Sequence, residues 1–371
     1  MNFAFSEDQE ELRRVVRQFL ESKSPESAVR EQMETESGYD PAVWSQMGDQ
    51  MGLQGLIIPE EFGGSGYSYV ELIVVLEEMG RRLLCAPYFS TVVLAANTLL
   101  SAGDDSAKKD YLPGIASGET IATLAFTEDG GSWDPASIRL AASRHGDGWV
   151  LDGHKSFVLS GASVGLILVA AVAGGGLSLF AVDAAASGLT ATALPTLDQT
   201  RGLARLEFSA VPAGLIGSAG DATAILDRVL DVAAVALAAE QLGGAQRALD
   251  ITVDYTKARH QFGRPIGSFQ ALKHRMADLL MEVESLRSAV AYAASAVADD
   301  SDEVPVLASL VKAYASETYF HVAAEMIQMH GGIGFTWEHD AHLFFKRAKS
   351  SELFLGDGAY HRERLAQRIG L

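Results

Sequence analysis

Ser268-Phe269-Gln270-Ala271-Leu272-Lys273-His274-Arg275-Met276-Ala277-Asp278-Leu279-Leu280-Met281-Glu282-Val283 is the stretch that decides the fold. Its apolar positions Phe269, Leu272, Met276, Leu279 and Val283, continued by Leu286 and Val290, alternate steps of three and four. That spacing is the core seam of a helix packed in an antiparallel bundle. The same texture holds from Asp221 to the last residue. Asp302 is placed to cap the next helix, with Pro305 in its first turn, where a missing N–H costs little. Alanines 233, 234, 236, 238 and 239 make a slim helix that lets neighbours approach closely.

Upstream the texture changes twice. From about Glu119 to Gly217, glycines punctuate short runs such as Trp149-Val150-Leu151, Ser156 to Leu159, Leu166 to Val172, Leu177 to Val182 and Leu206 to Phe208, which read as strands. From Ser6 to about Gly118 the pattern is helical again. Ser6 can cap a first helix with Asp8, Glu10 and Glu11 in its first turn and a stripe of Leu12, Val15, Val16, Phe19 and Leu20. The expected fold is α+β in three domains: an N-terminal helical domain (1–118), a central β-sandwich or barrel-like domain (119–217) and a C-terminal four-helix bundle (218–371).

The chain has 371 residues and a net charge of −19. Such acidity argues against nucleic acid as a partner, yet a few placed cations and helix N-termini can still bind phosphate locally. The one cysteine, Cys85, excludes an intrachain disulfide, fits a reducing compartment and reads as a small buried hydrophobe. No basic region followed by an apolar signal core opens the chain. The most apolar run, Val164 to Val182, is broken by Gly174, Gly175 and Gly176 and reads as buried strands rather than a membrane span. A cytoplasmic protein is expected.

Three motifs carry chemistry. In Phe126-Thr127-Glu128-Asp129-Gly130-Gly131-Ser132, a hydroxyl at a strand end followed by glycines can bond a planar heterocycle while exposing N–H groups to an anion. Alone, the same residues read as an ordinary β turn. In Arg259-His260-Gln261-Phe262-Gly263-Arg264-Pro265-Ile266, followed by Phe269-Gln270, a helix end meets a Gly-Pro turn. Arg259 is placed for a phosphate, Phe262 for stacking and Gln270 for a purine edge. In Gln328-Met329-His330-Gly331-Gly332-Ile333-Gly334, three glycines after a helix allow close approach of backbone to a ligand. The spacing is not that of a dinucleotide fingerprint, which needs a strand before it and a helix after it.

Together and in this order, the motifs resemble the acyl-CoA dehydrogenase family over nearly the whole chain. The resemblance begins at Phe5-Ser6-Glu7-Asp8-Gln9 and Met51-Gly52-Leu53 and runs through Ile58-Pro59-Glu60-Glu61-Phe62-Gly63-Gly64-Ser65-Gly66. It continues through Phe126-Thr127-Glu128, Gly153-His154-Lys155-Ser156-Phe157-Val158, the Arg259 and Gln328 motifs and Arg347-Ala348-Lys349. It implies FAD held between the β domain and the C-terminal helices and completed by a neighbouring subunit. By that resemblance Phe126, Thr127 and Ser132 contact the cofactor, Thr127 facing the flavin ring with Phe157 beside it. Arg259, Phe262, Gln270, Gln328, Gly331 and Gly332 hold the adenine and pyrophosphate end of a neighbour's FAD. The implied reaction is α,β-desaturation of an acyl-CoA, with a carboxylate taking the α-proton and electrons passing to an electron-transfer flavoprotein.

The chain departs from the pattern where the family keeps its base. Counting back from Arg364-Leu365, Asp357 fills the C-terminal place; counting forward from Ala348-Lys349, Leu355 does. The equivalents of the alternative Glu-Arg pair are Ala233 and Ala234, which carry no charge. Leu159 stands where relatives often have a threonine bonding flavin N5, and leucine cannot donate. Glu240 is the second candidate base, two turns beyond Ala233, with a paired structural glutamate as its plainer reading. Two functions follow: a self-sufficient homo-oligomer using Asp357 or Glu240, or a base-lacking partner subunit that completes the FAD site of a catalytic paralogue. Heteromers of that kind are associated in the family with large substrates such as steroid side chains. A flavin oxidase or monooxygenase on the same fold is a weaker third reading.

Overall fold

A computed structural model describes residues 5–371 of the chain, which pack as two compact units. One comprises the segment up to Glu31, Tyr69–Leu84 and Ala234–Leu371; the other comprises Gln32–Ser68 and Cys85–Ala233. The architecture is α+β, with helices, then a central sheet, then helices along the chain.

The first unit is helical. Helix α1 (Glu7–Lys23) opens with the expected Ser6 cap: Ser6 Oγ accepts from Gln9 N at 3.2 Å and Gln9 Oε1 from Ser6 N at 2.9 Å. Its stripe is narrower than the sequence suggests, since Val16 and Leu20 are buried but Val15 is exposed. Helix α2 (Glu26–Gln32) follows; α3 (Pro41–Asp49) belongs to the other unit, and α4 (Tyr69–Arg81) returns to this one. Buried Glu77 on α4 accepts from Arg13 of α1 at 2.6 Å and pairs with Arg287 from the C-terminal helices. Neighbouring Glu78 pairs with Arg17 at 2.7 Å, and Arg81 reaches Asp250 at 3.0 Å.

In the second unit, a π-helical stretch at Phe89–Ala96 runs into α5 (Asn97–Ser101), and α6 (Asp105–Ala116) precedes the strands. These are β1 (Ala122–Ala125), β2 (Ala141–His145), β3 (Gly148–Leu159), β4 (Leu166–Ala173), β5 (Gly176–Asp183), β6 (Leu189–Leu194) and β7 (Leu203–Ile216). Their order is β1-β4-β2-β3-β7-β5, with β6 on β7. Because β5 also pairs with β4, the path closes into a ring filled by Leu151, Val169, Phe180 and Leu206. Gly174 and Gly175, at φ +64° and +86°, form the two-residue turn that splits the long apolar run into β4 and β5. Among the described residues, no helix is long and apolar enough to cross a membrane.

Helix α7 (Thr223–Ala258) begins in the second unit and continues into the first. A hairpin of β8 (His260–Gln261) and β9 (Arg264–Pro265) joins it to α8 (Gln270–Ala298), followed by α9 (Val304–His330), α10 (Ala341–Leu353) and α11 (Gly358–Arg368). The α8 seam is buried from Leu279 to Val290, but Phe269, Leu272 and Met276 at its start are only half-buried. Asp302 is not the cap of α9. Glu303 occupies that position without a side-chain bond. Had Asp302 been the cap, Pro305 would have stood at the third helical position, where the capped N–H is needed. The closest approach of α7 to its neighbours is made by glycines rather than alanines. A Cβ on Gly243 would collide with the Glu77 carbonyl of α4, and one on Gly80 with the Glu240 carbonyl of α7.

Glu77→Gln is expected to lower unfolding stability at neutral pH by about 3–5 kcal/mol, the usual cost of breaking a buried pair, as read by chemical denaturation. Burial pushes the Glu77 carboxyl up, but Arg13 and Arg287 outweigh it and hold the group below its ordinary 4.5. Its contribution is therefore present above that ordinary value and lost as pH falls through the lower folded one. Melting temperature should fall on acidification below that value, and less steeply in Glu77→Gln.

Candidate functional site

In the β unit, the segment after β1 is clipped to the bulged middle of β3. Ser156 N donates to Thr127 O at 3.0 Å, the Thr127 hydroxyl donates to Ser156 O, and the Ser156 hydroxyl donates to Asp129. Lys155, fully buried, donates to Phe126 O at 3.2 Å and Glu128 Oε1 at 2.9 Å. Glu128 also accepts from Leu140 N at 2.8 Å. Burial pulls the Lys155 ammonium down to about 8 against the pull of Glu128. Thr127 and Phe126 are themselves buried, so what this clip presents is Phe157, whose ring is 39% exposed at φ +59°. Ser132 is exposed and its Oγ accepts from Asp134 N at 3.2 Å. Leu159 is buried, with its carbonyl taken by the Thr123 hydroxyl at 2.6 Å.

In the helical unit, Phe262 and Gly263 form the β8–β9 turn at φ +53° and +78°. Phe262 is 90% exposed. A bulky aromatic with positive φ is strained by about 1–3 kcal/mol, and such strain concentrates where a side chain must be presented. Of the three aromatic residues singled out in the sequence as cofactor contacts, Phe157 and Phe262 carry it and Phe126 does not. A cavity of about 300 Å³ is lined by Phe262, Ile266, Phe269, Leu272, Arg275 and Gln328. The half-buried start of the α8 seam thus faces this cavity. Phe262 and Gln328 meet there; Arg259, Gln270, Gly331 and Gly332 do not line it, though all four are exposed. Gln270 is bonded instead to His274 at 2.8 Å. Gly331 has φ +64° and ψ −141°, a conformation that favours glycine, and a Cβ on Gly331 or Gly332 would meet nothing within 4 Å. Arg275, which sequence reading passed over, brings a guanidinium to the cavity and pairs with Glu325 at 3.0 Å. Its signal was its place beside seam residue Met276.

The candidate bases lie in the same unit. Glu240 is buried and accepts from buried Arg347 at 2.7 Å in an ion pair. Asp357 is the N-cap of α11, its Oδ1 accepting from Tyr360 N at 2.8 Å. The turn before it is held through main-chain oxygens. Fully buried Lys312 donates to Glu352 O at 3.2 Å and Gly356 O at 2.9 Å, and His361 Nε2 meets Leu355 O at 2.9 Å. Burial and nearby Lys312 push His361 down to about 3, so it is neutral and donates from Nε2. Leu355 itself is buried at φ +61°.

Models of the acyl-CoA dehydrogenase N-terminal, middle and C-terminal domains match residues 6–119, 123–211 and 222–370. This chain belongs to the acyl-CoA dehydrogenase family. It is an oxidoreductase of a flavin-dependent family. Acyl-CoA dehydrogenase IpdE2 of Mycolicibacterium smegmatis is 39% identical over 366 residues, covering 98% of this chain and 99% of that protein. A variant of the Tcur3481-Tcur3483 steroid ACAD superposes with a TM-score of 0.89 at 35% identity, covering 98% of each chain. The ChsE4-ChsE5 complex from Mycobacterium tuberculosis gives 0.91 at 29% identity over 100% of this chain and 99% of its own.

As an N-cap, Asp357 should tolerate asparagine. Asp357→Asn is expected to leave the melting temperature unchanged, and Asp357→Ala to cost about 1 kcal/mol, both by thermal denaturation.

Proposed function

We propose that this chain works in the FAD-dependent α,β-desaturation of a CoA thioester as a subunit that supplies the nucleotide end of a flavin site, while a paralogous chain supplies the proton-abstracting carboxylate. One observation carries this reading: both carboxylates that could act as base are committed to structure, Glu240 to Arg347 and Asp357 to the start of α11. The α-C–H of a thioester is weakly acidic, so its base must be desolvated and raised in pKa. A glutamate whose carboxylate is already bonded to a buried arginine is not free to receive that proton, and the side chain of leucine at 355 has no atom that can accept one.

The donor set fits the nucleotide half of FAD. Phe262 offers a stacking face, Gln328 an amide and Arg275 a cation on one cavity. Arg259, Gln270 and the open backbone at Gly331 and Gly332 are exposed for the adenine and pyrophosphate. FAD, when bound, supplies the acceptor for the hydride leaving the β-carbon, and an electron-transfer flavoprotein takes the electrons onward. The two-chain names of the structural relatives, one a steroid ACAD, support a heteromer and a bulky acyl group.

A self-sufficient homomer is the second reading, favoured by the exposed Phe157 ring of the β unit. In it Phe126, Thr127, Ser132 and Phe157 would hold the flavin ring, and Asp357 would leave its cap to act as base. Dye reduction with acyl-CoAs separates the two. The chain alone should be inactive and gain both yellow colour and turnover on mixing with its paralogue. Asp357→Asn should leave turnover of the mixture unchanged, whereas loss of a true base costs on the order of 10²–10⁴-fold. Turnover by the chain alone, abolished in Asp357→Asn, would reverse the assignment.

A further inference from the structure

The two walls of the Phe262–Gln328 cavity come from the ends of two helices about seventy residues apart in sequence, the hairpin after α7 and the last turn of α9. Something must fix their spacing. Tyr255 lies in the last turn of α7, one helical turn before Arg259, whose N–H donates to Tyr255 O at 2.8 Å. Its hydroxyl donates to His330 O at 3.3 Å, at the last residue of α9, and the two rings stack with centroids 4.2 Å apart and planes at 28°. His330 is 4% exposed, and its Nδ1 is 2.6 Å from Met326 O, which fixes the ring. His339 packs against it at 4.5 Å and meets Tyr255 edge-on at 6.5 Å.

We propose that Tyr255 and His330 are a positioning pair that latches the end of α7 to the end of α9 and so sets the gap between Phe262 and Gln328. The inference rests on the reading of that cavity as a nucleotide site. It also makes the site sensitive to acid. With Nδ1 donating to Met326 O, His330 Nε2 is an acceptor, buried and without a partner among the described residues. The groups facing the stack are His339, then Arg30 and Asp340 beside it, and His342 against Trp337. Burial pushes His330, His339 and His342 below the ordinary histidine value. The neutral ring is thus the folded one. The latch is intact above the ordinary histidine range and is lost as pH falls below it, since a buried neutral histidine must charge.

The test titrates FAD into the chain mixed with its paralogue, following flavin fluorescence across pH, and follows the histidine ring signals of the chain alone by NMR. Tyr255→Leu should weaken FAD binding roughly three- to tenfold, the worth of one aromatic pair, and should move the His330 titration back towards that of an exposed histidine. Tyr255→Phe keeps the stack and should restore most of the affinity. His330→Phe cannot take a proton and should abolish the acid loss of affinity. The latch is overturned if Tyr255→Leu binds FAD as the parent does at every pH and leaves the His330 titration unchanged. If the parent pair takes up no FAD at all, the proposed function falls, and the histidine titration alone decides the latch. Should Tyr255→Leu not fold, Tyr255→Phe and His330→Phe decide it by the acid dependence.

Discussion

A carboxylate between two arginines organises the helical unit. Glu77 draws Arg13 from α1 and Arg287 from α8 onto one buried point, at the place where α4 and α7 touch backbone to backbone through Gly80 and Gly243. The glycines bring α4 and α7 so close that the side chains around the crossing must be arranged in one way, and the arginines satisfy the charge which that closeness buries. With α1, α4, α7 and α8 fixed, the far end of α7 is aimed. The hairpin carrying Phe262 and the seam of α8 take their positions from it.

The unit shows a repeated device of burying a charged group and tying it to backbone. Lys312 holds the turn before α11 by carbonyl oxygens, and in the β unit Lys155 holds the segment after β1 in the same manner. Each lysine forfeits hydration and regains it from fixed oxygens, which is favourable only when the geometry is complete. These are places where the chain has little freedom, and they lie beside the segments singled out for ligand contact.

Much of this was legible in residue order. The seam of α8, the Ser6 cap and the glycine break between β4 and β5 each follow from a local rule about period, capping or positive φ. What escaped depended on residues remote in sequence or on two local rules in competition. Val15 falls on the stripe by helical period yet is exposed, because period alone cannot say how wide a neighbour is. Asp302 has the chemistry of a cap, but Pro305 removes the N–H it would need. Arg275 carried only its place beside Met276 as a sign, since the cavity it faces is opened by the hairpin before α8. Asp357 fits the spacing of a base and also the pattern of a helix cap, and in the folded chain its Oδ1 accepts from Tyr360 N.

Because Lys312 and His361 grip the turn at Glu352, Leu355 and Gly356 through the peptide oxygens, the course of that loop is held by contacts that its own side chains do not make. The ammonium and the imidazole that shape this turn stand on α9 and α11, so the segment between α10 and α11 is moulded from outside itself.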